Sequence, residues 1–138
     1  MTSVTDRRLD VDLVITDPAW SALALDLTAL STAAVRAAMA TTAHDGSEVV
    51  VALGDDAWIR DLNARHRDSD TPTNVLAFPA DAHGRGLGLL GDLALARETI
   101  IAEAAAAEKA LADHLTHLIV HGCLHLLGHD HIQADEAA

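Results

Sequence analysis

His121-Gly122-Cys123-Leu124-His125-Leu126-Leu127-Gly128-His129-Asp130-His131 stands close to the end of the 138-residue chain, and the reading of the whole sequence turns on it. The apolar spacing over 115–127 predicts a helix. His121 and His125 are four residues apart, so on a helix their imidazoles share one face, a turn apart. Gly128 is a natural stop, because glycine accepts the left-handed backbone of a C-terminal cap. The chain can then turn back and bring His131 towards the same point. Three neutral imidazoles with a fourth position open are the usual surroundings of a catalytic divalent ion.

The offsets of His121, His125, Gly128 and His131 match the zinc-protease pattern H-E-x-x-H-x-x-G-x-x-H. One residue differs. Gly122 occupies the position of the protease's general-base glutamate, and a mid-helix glycine costs up to about 1 kcal/mol relative to alanine, so helix propensity does not explain it. The pattern predicts metal-assisted hydrolysis of something other than a peptide. Of the neighbouring histidines, His117 lies four before His121 on the same stripe and reads as a partner of a ligand imidazole. His114 reads as a solvated histidine. His129 flanks the third ligand and competes with it. Cys123 reads as a small packed helix residue rather than a nucleophile.

Outward from this helix the chain alternates between strand and helix signals. Residues 11–15 read as a first strand. Asp17-Pro18 opens a helix over 20–43, with a break placed near Leu30-Ser31. The β-branched run 48–53 is a second strand, and Asp55-Asp56 caps a short helix over 57–66. Residues 67–72 form a polar loop, 73–78 a third strand stopped by Pro79, and 80–87 a loop or hairpin tip. A fourth strand over 89–95 leads into an alanine-rich helix over 97–110. Composition marks no domain boundary and no repeat. The expected fold is α+β: a single domain over 1–138, a small mixed four-stranded sheet with four to five helices, and the metal site on the C-terminal histidine helix.

Composition narrows the function. The net charge of -12 argues against a generic nucleic-acid binder, although Arg60, Arg65 and Arg67 cluster within eight positions and could line a local basic cleft. Trp20, Trp58 and Phe78 are the only large aromatics, so a broad base-stacking platform is not expected. With one cysteine no internal disulfide can form. No apolar run is long enough for a membrane span, and no signal-peptide core stands at the N-terminus, which fits a cytoplasmic protein without a membrane partner.

Three segments together resemble the YbeY family of bacterial metal-dependent endoribonucleases. The histidine stretch is similar to that family's H-G-x-L-H-L-x-G-Y-D-H. Leu62-Asn63 through Arg67 to Thr71-Pro72-Thr73-Asn74-Val75-Leu76-Ala77-Phe78-Pro79 resembles L-N-x-x-Y-R-x-x-x-x-P-T-D/N-V-L-S-F-P. Leu90-Gly91-Asp92-Leu93 resembles the L-G-D-I/L block. The blocks come in the family's order and span about half the chain. His66 and His129 stand where tyrosine is usual, and Ala77 where serine is common.

The resemblance implies that His121, His125 and His131 hold one divalent ion, zinc first among the candidates. It assigns Arg67 as the catalytic cation at the phosphate, since a guanidinium can bind phosphate through two hydrogen bonds. Asp130 is open between orienting a ligand imidazole and capping the helix. Thr71, Thr73 and Asn74 are open between meeting RNA phosphates or sugars and fixing their loop, and Asp92 reads as structural. The implied substrate is single-stranded RNA and the implied work is ribosomal RNA maturation at the 3′ end of the small-subunit RNA, with ribosome quality control. Small-subunit proteins are further candidate partners. Two alternatives remain at this point: a non-catalytic metal-binding module of ribosome assembly, and a metalloprotease-like hydrolase.

Overall fold

Alternating burial along residues 48–53 places one row of side chains on each face of a four-stranded sheet. A computed structural model describes residues 10–40, 48–67 and 73–128, apart from the side chains of residues 66 and 67. The strands are β1 (Asp10–Ile15), β2 (Glu48–Gly54), β3 (Val75–Pro79) and β4 (Leu89–Ala96). Their order is β1-β2-β4-β3, with β1, β2 and β4 parallel and β3 antiparallel on the far edge. Parallel neighbours need crossovers. Helix α1 (Leu27–Met39) supplies the first, and α2 (Asp56–Arg67) with β3 lies between β2 and β4. The one-turn helix α3 (Ala82–Gly86) closes the β3–β4 hairpin, and α4 (Arg97–Ala106) and α5 (Leu111–Leu126) complete the chain.

Odd-numbered residues of the inner strands decide which helices cover which face. Val49, Val51, Leu53, Leu93 and Leu95 point to one side and are buried with α1 and α5. Ala94 and Ala96 point to the other, where they meet Ile59 of α2 and Leu76 of β3. On α5, Leu115, Ile119 and Leu126 are fully buried, each contributing about 1.5–3 kcal/mol of hydrophobic stabilisation. Small residues on α1 (Ser31, Ala34, Ala38) are buried too and let that helix approach α5 closely. No described helix is long and apolar enough to cross a membrane.

Several boundaries differ from those the sequence suggests. The stretch read as one helix over 20–43 is, up to residue 40, a 3-10 turn, Pro18–Ala22, followed by α1, and residues 41–43 lie outside the described residues. The break falls before Leu27 rather than at Leu30-Ser31, because the Asp26 carboxylate accepts from the backbone N–H of Ala29 and starts a new helix. Ser31 is instead buried in α1. Trp20 seals the 3-10 turn into the core, its indole N–H donating to the Gly54 carbonyl at 2.8 Å. Pro79 is the last residue of β3 rather than its stop. Residues 80–87 contain a helical turn capped by Asp81, whose carboxylate accepts from Gly84 N–H. Helix α4 ends at Ala106, not 110, and α5 begins at Leu111.

Candidate metal centre

Helix α5 carries two stripes. Its apolar stripe faces the core, and a second stripe bears His114, His117, His121 and His125. Residues four apart on a helix differ by only about 40° around the axis, so His121 and His125 stack up the same side. Their Nε2 atoms lie 3.1 Å apart, with the ring centroids 4.7 Å apart and the planes tilted by 60°. His117 stacks on His121 from the other side at 6.4 Å. These rings look into a cleft of about 320 Å³ whose opposite wall is the edge strand, Asn74 to Ala77.

The pair fits a metal ion. Two nitrogens each about 2.0–2.1 Å from one tetrahedral ion stand about 3.3 Å from each other, close to the separation found. Burial first, and the neighbouring His125 and His117 second, hold the His121 imidazole below its ordinary value. A neutral imidazole is the ligating form. Among the described residues no third His, Cys, Asp or Glu completes a cluster with the pair. His131, His129, Asp130 and Thr71 lie outside the described residues. Arg67 is the last residue of α2, and its side chain lies outside them as well.

Gly122 has a packing reason that helix propensity could not give. It is buried between α5 and the sheet, where a β-carbon would stand 2.8 Å from Leu93 Cδ2 and 3.4 Å from Val75 Cγ2. The helix carrying the histidines therefore sits closer to β3 and β4 than a larger residue could without displacing Leu93. Gly128, at φ +93°, takes the left-handed backbone expected of it at the end of α5. From the hairpin, Arg85 Nη2 donates to the Leu126 carbonyl at 2.8 Å and satisfies a terminal acceptor of the same helix.

His114 is not the solvated residue its sequence context suggests. Its side chain is only 13% exposed, and its Nε2 lies 2.9 Å from Glu103 Oε1 on α4. Its Nδ1 is buried without a hydrogen-bond partner, a cost of about 1–3 kcal/mol. The same Glu103 carboxylate accepts from Asn74 Nδ2 at 3.0 and 3.2 Å. Asn74 is thus brought to the histidines, and it is held there by a residue the motifs did not mark. The one available signal was the spacing of His114 on the same stripe as His117 and His121. Asp92 goes elsewhere: on β4 it points to the opposite sheet face, beside Val50, Trp58 and Phe78, where desolvation pushes its carboxyl up.

An edge-strand cleft facing an i, i+4 histidine pair, on a mixed α+β sheet, is a defined class of site and scaffold. The model of the endoribonuclease YbeY family matches residues 16–138, and the chain belongs to that family. An endoribonuclease YbeY of Azorhizobium caulinodans is 47% identical over 134 residues, covering 94% of this chain and 84% of its own. That of Beijerinckia indica is 44% identical over 133 residues, covering 90% and 65%. The Rhizobium etli relative is 54% identical over 93 residues, covering 65% and 54%. The solution structure of a Thermotoga maritima protein matches with a TM-score of 0.55 over 86% of this chain and 72% of its own, at 23% identity, a likeness of fold.

Proposed function

We propose that this chain is a cytoplasmic, metal-dependent endoribonuclease that cuts single-stranded RNA, with His121, His125 and His131 holding one ion and Arg67 meeting the phosphate. The observation that carries the reading is the convergence of two Nε2 atoms, 3.1 Å apart, inside a cleft walled by an edge strand. His121, His125 and His131 would hold a divalent ion, zinc for preference, which would supply Lewis-acid chemistry towards a phosphoryl oxygen and water. Everything else falls to the chain's own groups. Burial, with the neighbouring His125 and His117, holds the His121 imidazole below its ordinary value, which favours the neutral, ligating form. Gly122 brings no carboxylate to the position of the zinc-protease general base, and its missing β-carbon lets α5 pack against Leu93 and Val75. An Arg67 guanidinium can accept the negative charge that gathers on non-bridging oxygens during displacement at phosphorus.

Family membership supports the endoribonuclease activity, and Gly122 in place of a glutamate disfavours the protease reading. Small-subunit ribosomal RNA, near its 3′ end, is the substrate we assign, with ribosome quality control as the wider role. Small-subunit proteins are the candidate protein partners. The test is cleavage of an end-labelled single-stranded RNA by zinc-loaded protein beside an Arg67→Ala variant. Cutting by the parent alone supports the reading. Equal cutting by both removes Arg67 from the site, and cutting by neither, with a ribosomal substrate included, favours a non-catalytic assembly module.

A further inference from the structure

Asn74 has an amide with one donating and one accepting end, and the end it offers to the cleft decides which ligand atom it can meet. Its Nδ2 lies 3.0 and 3.2 Å from the two oxygens of Glu103. A carboxylate only accepts, so the NH₂ end must face α4. Glu103 is held in turn by His114 Nε2 at 2.9 Å. The main chain of Asn74 is fixed too, since its carbonyl accepts from Ala96 N–H at 3.0 Å. Oδ1 is then the side-chain atom not committed to Glu103, on a residue that lines the cleft with His121 and His125.

An amide oxygen gains nothing from a phosphate oxygen, because both are acceptors. It requires a donor. In a strand of RNA near the reacting phosphate the donors are the ribose 2′-hydroxyl and the base amines and imides. Among the described residues the lining includes no Phe, Tyr or Trp on which a base could stack, and its His121 and His125 rings are turned to each other, their Nε2 atoms 3.1 Å apart, which favours the sugar. Resting on the endoribonuclease reading, we propose that Asn74 Oδ1 accepts a hydrogen bond from the 2′-hydroxyl of a nucleotide in the cleft, and that Glu103 with His114 fixes the amide in that orientation. Asn74 is then a residue that distinguishes RNA from DNA at the site. Glu103 and His114 are positioning residues acting through it.

The test pairs protein variants with single-atom changes in the substrate. An RNA is prepared in which one nucleotide at a time is 2′-deoxy, and kcat/KM is measured for the parent, Asn74→Ala and Glu103→Gln. In the parent, one position loses roughly two- to tenfold on removal of its hydroxyl, the range of one neutral hydrogen bond. In Asn74→Ala that same deletion costs nothing further. In Glu103→Gln, whose amide lets Asn74 turn over, the penalty shrinks. A merely structural role would lower kcat/KM on every RNA and leave the deoxy penalty intact. A penalty unchanged in both variants, or no sensitive position in the parent, overturns the proposal. A parent that cuts no RNA overturns the endoribonuclease reading and this assignment with it.

Discussion

Gly122 and Leu93 meet so closely that a β-carbon on the glycine would stand 2.8 Å from Leu93 Cδ2. Leu93 is fully buried, so its methyl yields only by displacing packed neighbours. In Gly122→Ala, about 1 kcal/mol of helix propensity gained is set against about 1–3 kcal/mol of overpacking, so its urea midpoint stays near or somewhat below the parent's. Gly122→Glu, which rebuilds the protease pattern, adds a carboxylate to that crowded seam. It should lose at least about 3 kcal/mol and gain no peptidase activity. A folded Glu variant of parental stability that cuts peptides would defeat this account.

The histidine pair predicts a specific response to metal. With zinc at about a hundred times its dissociation constant, the parent gains about 2.7 kcal/mol, a rise in Tm of roughly 10 °C. His125→Ala should lose that rise and its RNA cleavage, while melting close to the parent in chelator. Differential scanning fluorimetry with and without zinc reads both. An equal rise in the variant would place the ion elsewhere.

Cys123 is 1% exposed, and desolvation pushes its thiol up to about 12. At pH 8 the thiolate is therefore scarce and shielded. A disulfide reagent should label the native protein only as fast as it opens, and the urea-unfolded protein within seconds to minutes. Rapid labelling of the native chain would mean that α5 does not pack on α1 as described.

Arg97 Nε donates to Asp17 Oδ2 at 2.6 Å, and this bond, with a second from Ala19 N–H, holds the Asp17 carboxyl below its ordinary value. A depressed carboxyl contributes stability that is complete above the unfolded pKa, about 3.9, and is lost as pH falls through the folded one. The parent's urea midpoint should thus drop more steeply below pH 4 than that of Arg97→Met. Parallel curves for the two proteins would remove this pair from the acid response.

The strands and the histidine helix could be read locally because their signals are local. Val49, Val51 and Leu53 alternate into one face, and Gly128 marks its own left-handed cap. The split at Asp26 was hidden because Leu23, Leu27 and Leu30 keep helical spacing straight through it. Glu103 and His114 were missed for another reason. They are joined to each other across two helices, and Glu103 to Asn74 across 29 residues, and no periodic pattern within one element marks those bonds. His114 looked like one more surface histidine until α4 was laid beside it.

Helix α4 contributes no side chain to the cleft lining, yet four of its residues set the geometry around it. Glu98 accepts from Asp56 N–H and Thr99 donates twice to the Asp56 carboxylate, which fixes the start of the helix that ends at Arg67. Arg97 ties Asp17, and Glu103 ties Asn74 and His114. The guanidinium-bearing and imidazole-bearing helices are thus both surveyed from one common rod. These bonds act beside the packing of α2 on β4 and of α5 on α1 and β3 that seats each helix. Rotating that alanine-rich segment by even part of a turn would misalign both at once and release the Asn74 amide that Glu103 holds.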